Sequence, residues 1–129
     1  FRQTDAELRK KIENIAIREV TREYSERGFT VTSVESENLG WDLEAVYKKI
    51  KLKIEVKGLA GQEVSVELTP NEFSKMNNNK DSYRLCVVTK CLENPVLYVF
   101  SYSSERNEWI SEDGHILSID QIISARCYT

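Results

Sequence analysis

Histidine occurs once in these 129 residues, as His115 beside Gly114, and methionine also occurs once. A lone imidazole on a turn cannot build a histidine metal cluster and is expected at the surface. No nucleophile has a base at usable spacing, which removes the common covalent hydrolase patterns. Glycine is scarce, at five residues, and no Gly-rich phosphate loop, internal repeat or low-complexity stretch is present. Cys86, Cys91 and Cys127 are odd in number and lack metal-ligand spacing, so a disulfide framework is not expected. Cys86 lies in an apolar run and is expected in the core. That usage suits a reducing, intracellular setting: cytoplasmic, nucleoid-associated or, in a eukaryote, nuclear. No apolar run approaches the roughly 18–20 residues of a membrane span. The N-terminus is polar and helical in pattern, unlike a signal peptide, so no membrane partner is expected. Excess positive charge is missing as well. The net charge is −3 and the pI about 5.3, which is not the footprint of a strong nucleic-acid binder.

What is present describes a globular chain. Hydrophobic residues at 40% and charged residues at 30% allow a core and exclude general disorder. The length fits one domain over residues 1–129. The first residue is Phe1 rather than Met, as expected of a domain excised from a longer protein. Thr4-Asp5-Ala6-Glu7 reads as a capping box. Leu8, Ile12, Ile15, Ala16, Val20 and Tyr24 follow at helical spacing, and Gly28 stops the helix. Phe29–Val34 predicts a strand, Trp41–Tyr47 and Ile50–Lys57 a hairpin, and the alternating Val64, Val66 and Leu68 a further strand. Thr69-Pro70-Asn71-Glu72 is a second capping box opening a short helix with Phe73 and Met76. Capping accounts for Glu72, so no catalytic role is expected of it. Tyr83–Thr89 is apolar on both faces, as a strand buried between two layers should be. Val96–Tyr102 predicts another strand, with turns at 103–107 and 112–114. Ser118-Ile119-Asp120-Gln121 resembles a third capping box, predicting a terminal helix with Ile122, Ile123 and Ala125. The order suits an α/β fold, a mixed central β-sheet flanked by helices.

The hairpin carries the chemistry. Leu52, Ile54 and Val56 point one way along the second strand; Lys51, Lys53, Glu55 and Lys57 point the other. If Tyr47 meets Ile50 across Lys48-Lys49, or a four-residue loop keeps that register, Glu44 stands opposite Lys53 and Asp42 opposite Glu55. Two oxygen ligands side by side suit a hard divalent cation such as Mg²⁺. The plainer alternative is a solvated face with an ordinary Glu44–Lys53 pair. Against it, Asp42 facing Glu55 is a like-charge pair, costly unless a cation or proton sits between them. Gly40 and Gly58 also bracket the acidic end, where glycine permits close approach of a ligand or backbone.

Asp42, then twelve residues, then Glu55-Val56-Lys57, after an N-terminal helix, resembles the PD-(D/E)XK nuclease signature. No proline precedes Asp42, a departure from that pattern. A longer ordered set is similar to the domain at the C-terminus of the plant protein NO VEIN. It comprises Ile12-Glu13, Ala16-Ile17, Tyr24, Gly28-Phe29, Asn38, Gly40-Trp41-Asp42-Leu43, Ile54-Glu55-Val56-Lys57-Gly58, Leu68-Thr69, Asn71-Glu72, Asp81, Tyr83 and Leu85. It covers roughly residues 8–100.

The resemblance implies a restriction-endonuclease-like core and metal-dependent hydrolysis of DNA phosphodiester bonds, in restriction, defence or DNA processing. Asp42 and Glu55 would bind Mg²⁺, with Mn²⁺ as a substitute, and the backbone carbonyl of Val56 would be a further ligand. Lys57 would orient the attacking water or stabilise the phosphate in the transition state. Glu13 takes the place of the first-helix acid that joins such metal sites. Its spacing equally suits a surface residue paired with Arg9 or Lys10. Lys48, Lys49, Lys51 and Lys53 form a local basic patch compatible with DNA phosphates, and equally with a soluble turn. Fused helicase-like or recognition domains are the implied partners. RNA as substrate and a homodimer stay open. The alternative function is an inactive nuclease-like module for protein or nucleic-acid interaction.

Overall fold

Helix α1 (Asp5–Glu26) begins where the sequence places its cap, Thr4 Oγ accepting the Glu7 amide at 3.1 Å. It ends in a Schellman turn: Phe29 N–H donates to Tyr24 O and Gly28 N–H to Ser25 O, with Gly28 at φ +92°. The computed structural model describes residues 3–122 and 125–129. Ala16, Val20 and Tyr24 form the buried stripe of α1.

Among the described residues, one mixed sheet of six strands follows in sequence order: β1 (Thr30–Ser33), β2 (Leu43–Tyr47), β3 (Ile50–Gly58), β4 (Tyr83–Thr89), β5 (Val96–Ser103) and β6 (Glu108–Ser111). Every neighbouring pair is antiparallel except β3–β4, which is parallel. A parallel neighbour requires a crossover, and helix α2 (Pro70–Asn78) lies within it. The two helices cover opposite faces. Cys86 and Val88 of β4 pack with α1 and with Leu52, Ile54 and Val56 of β3. Tyr83, Leu85 and Val87 point the other way, to Met76 of α2, Phe100 and Trp109. The expected α/β architecture with a mixed sheet and flanking helices is the one observed. Among the described residues, no helix is long and apolar enough to cross a membrane.

Three local expectations are corrected. Residues 64–68 form no strand, although Val64, Val66 and Leu68 all turn onto the core beside Phe100 and Trp109. Their alternation serves as a cover over the sheet, because β3 and β4 pair directly and leave no edge there. The terminal helix expected from Ser118 is absent over 118–122 and 125–129; Ile123 lies outside the described residues. Just before it, the chain is held to β6, by an Ile110–Ile116 bridge and by Leu117 N–H on Trp109 O at 2.9 Å. β6 itself was not expected: its four residues sit between two correctly placed turns, too short for alternation to register.

Candidate active site

Backbone hydrogen bonds decide where Asp42 stands. Its amide donates to Ile54 O at 2.9 Å, and its carbonyl accepts Val34 N–H at 2.8 Å. Both ladders thus run one residue beyond β2. Just before it, Gly40 turns the chain at φ +92°, where a side chain would be strained. The buried Tyr83 hydroxyl donates to Gly40 O at 3.0 Å and pins that bend. The hairpin register is the expected one: Tyr47 faces Ile50, Glu44 faces Lys53, Leu43 faces Ile54, and Asp42 follows opposite Glu55. Gly58 is small for a different reason than a ligand: a Cβ there would lie 2.9 Å from Ala16 Cβ and 3.0 Å from Ile12 O. The backbone it admits is that of α1.

Asp42 Oδ2 accepts the Val56 amide at 2.9 Å, and its carboxyl is close enough to that of Glu55 for a proton to lie between them. Lys57 Nζ lies 3.4 Å from Glu55 Oε2 and donates to Glu72 Oε1 at 3.0 Å. The four side chains form an unbroken row, Asp42–Glu55–Lys57–Glu72. Period two along β3 puts Glu55 and Lys57 on the face covered by α2, which brings Glu72 within reach.

Burial governs the electrostatics. Glu55 is 2% exposed. Burial, then the Asp42 and Glu72 charges, push its pKa up to about 9, so it carries a proton at neutral pH. Asp42 is raised too, chiefly by burial, but the Val56 amide and the Glu55 hydrogen bond work against this. The proton between the two acids is therefore held by Glu55, with Asp42 accepting. Burial opposes the charge on Lys57, yet Glu72 and Glu55 outweigh it and raise its pKa. Glu72 loses affinity for a proton despite burial, through the Thr69 amide and Lys57.

Among the described residues, no three His, Cys, Asp or Glu side chains gather as a metal-holding cluster. The donors on offer are the two carboxyls and the Val56 carbonyl, which strand geometry sends to the same edge as the amide bound by Asp42. Such hard oxygen donors suit Mg²⁺, which leaves its other positions to water and phosphate. A proton shared between adjacent acids is also what a cation would displace.

The other expected residues are less concentrated. Glu13 is half-exposed and pairs with Lys10 at 3.5 Å, the plainer of its two readings. Lys48, Lys49 and Lys51 are exposed at the hairpin tip, Lys51 holding Glu44 at 3.2 Å. Lys53 is half-buried, donating to Ser82 Oγ at 3.3 Å and lying over the Trp41 ring. Two acids near the site escaped the sequence. Glu72 was explained by its capping box, which is present, and that explanation hid its second bond. Glu35 has a raised pKa, through such burial as it has and then through the Asp42 and Glu13 charges. It links Glu13 electrostatically to Asp42, and nothing in its local sequence signals this.

No curated protein and no solved structure matches the chain. The family model described as Protein NO VEIN, C-terminal matches residues 12–100. That span runs from the middle of α1 through Asp42, Glu55, Lys57 and Glu72 into β5, well over half of the sequence, and the chain belongs to that family.

Proposed function

We propose that this domain is a Mg²⁺-dependent endonuclease of the PD-(D/E)XK type, hydrolysing phosphodiester bonds of DNA on a restriction-endonuclease-like core. The observation that carries the reading is the meeting of Asp42, Glu55 and Lys57 on one sheet face, with the two acids side by side across the hairpin and Lys57 3.4 Å from Glu55. Asp42, Glu55 and the Val56 carbonyl would hold the ion, Mn²⁺ substituting. When bound, it supplies Lewis-acid activation of the scissile phosphate and of water. The Val56 amide orients Asp42 for that role and favours its charged form. Glu55 would hold the ion as the deprotonated carboxylate. Lys57 places a positive charge where the phosphate oxygens gain negative charge, or holds the attacking water. Glu13 contributes negative potential around Glu35 and would complete the shell of the ion, directly or through water. Lys48, Lys49 and Lys51 supply flanking phosphate contacts, and base recognition falls to fused domains.

A non-catalytic interaction module is the second reading. It is favoured by one feature: Lys57 is already bonded to Glu72 and close to Glu55, so its charge is met within the fold. Incubating supercoiled plasmid with the domain and Mg²⁺ or Mn²⁺, against chelator, separates the two. Nicking that needs the ion and disappears in Lys57→Ala is expected. Absence of nicking, with no divalent binding by calorimetry, refutes the nuclease and leaves the module.

A further inference from the structure

We infer that Glu72 is the positioning residue for Lys57, tying the reactive face of β3 to the first turn of α2; this rests on the nuclease reading above. Glu72 Oε1 accepts two donors, the Thr69 amide at 2.9 Å and Lys57 Nζ at 3.0 Å. Capping needs only the first, and a glutamine serves it as well. The second bond is charge-assisted and bears on the site.

Lysine carries its charge on a flexible four-carbon stem, so one ammonium position is held only where acceptors bracket it. Glu55 brackets Lys57 on one side at 3.4 Å and Glu72 on the other at the shorter 3.0 Å. The Glu55 carboxyl is also turned to Asp42, which leaves Glu72 as the closer acceptor of Lys57. Glu72 is itself well held. It sits at the third position of α2, where the helix dipole favours an anion. The helix is anchored by the fully buried Met76.

The same helical turn also meets the bend that carries Asp42. A Cβ at Gly40 would lie 2.6 Å from Lys75 Cγ and 3.1 Å from Asn71 Nδ2. One turn of α2 therefore abuts the Asp42 side of the site through Asn71 and Lys75, and the Lys57 side through Glu72. It sets the separation between the acid pair and the ammonium.

Glu72→Gln tests this, because it keeps the cap and removes the charge. On a labelled duplex, kcat is expected to fall about 10- to 100-fold with KM unchanged, the scale of a misplaced reactive group. In a Lys57→Arg background, which keeps the charge but changes its geometry, the same substitution should add less than its loss in wild type. A wild-type kcat in Glu72→Gln, or losses that multiply in the double variant, would overturn the inference. Thr69→Ala is the structural control: it removes the hydroxyl cap and lowers the melting temperature but should leave kcat alone. A readout free of activity is the proton–nitrogen correlation spectrum of the lysine ammonium groups. A protected Lys57 resonance, identified by its loss in Lys57→Ala, should vanish or shift in Glu72→Gln. If wild type cleaves nothing, the nuclease reading falls, and this spectrum still decides: a Lys57 resonance that is unchanged in Glu72→Gln, or absent from wild type, overturns the positioning role.

Discussion

Glu55→Gln should stabilise the metal-free protein, by an amount that grows with pH. In the unfolded chain Glu55 ionises near its ordinary value of 4.5, whereas in the fold burial, Asp42 and Glu72 move it to about 9. Below the lower value both states hold the proton, and the residue costs nothing. Above it the unfolded state sheds its proton while the folded state keeps it, so stability is lost progressively until the pH passes the folded pKa. Each pH unit in that window costs about 1.4 kcal/mol, which amounts to about 3 kcal/mol at neutral pH. Glutamine does not titrate, and its amide can still donate to Asp42. Urea unfolding of both proteins in chelator, at about pH 5 and about pH 8, measures the gap. It should be small at the lower pH and a few kcal/mol at the higher, or roughly 10 °C in melting temperature for a domain of this size. Saturating Mg²⁺ should narrow or reverse it, because only wild type gains the stabilisation of binding. A variant no more stable than wild type near pH 8, or a gap that ignores pH, would refute the account of Glu55 as a buried, protonated acid.

Other substitutions probe the frame around the site. Gly58→Ala sets a methyl group 2.9 Å from Ala16 Cβ and 3.0 Å from the Ile12 carbonyl. Strain of about 1–3 kcal/mol should appear in urea titrations. Tyr83→Phe leaves the Gly40 carbonyl without its buried donor and should cost about 1–3 kcal/mol by the same method. If Lys48, Lys49 and Lys51 touch DNA phosphates, replacing all three with Ala should weaken binding to any duplex alike. The salt slope of log K against log[salt] should shrink by about 0.9 for each contact removed, read from fluorescence titrations at two salt concentrations.

Much of the site was legible because its geometry is local. Tyr47 faces Ile50 across Lys48-Lys49, and from that single pairing period two carries Asp42 to Glu55 and sets Lys57 on the same side. The caps of α1 and α2 were legible for a related reason: Thr4, Thr69 and Glu72 bond within their own first turns. Glu72 shows the limit of such reading. A residue with a complete local explanation conceals a long-range partner, and its bond to Lys57 depends on where the crossover lays α2. Residues 64–68 show the same limit from the other side. Inward alternation needs an apolar surface to rest on, and a sheet face satisfies it as well as a ladder does, so pattern alone could not choose between cover and strand.

The sequence by itself determined the capped helices, the hairpin with its register, the doubly buried β4 and the family, since these rest on periodicity, capping chemistry and ordered motifs within short stretches. Only the tertiary structure decided that β4 lies parallel to β3 and that α2 closes the opposite face from α1. From those two placements come the burial of Glu55, the proton it holds against Asp42, and the grip of Glu72 on Lys57. The physical reason is that a carboxyl's charge and an ammonium's position are set by the dielectric and the partners around them. Those neighbours are supplied by α2, within the long crossover that follows Gly58, and by β4 at its end.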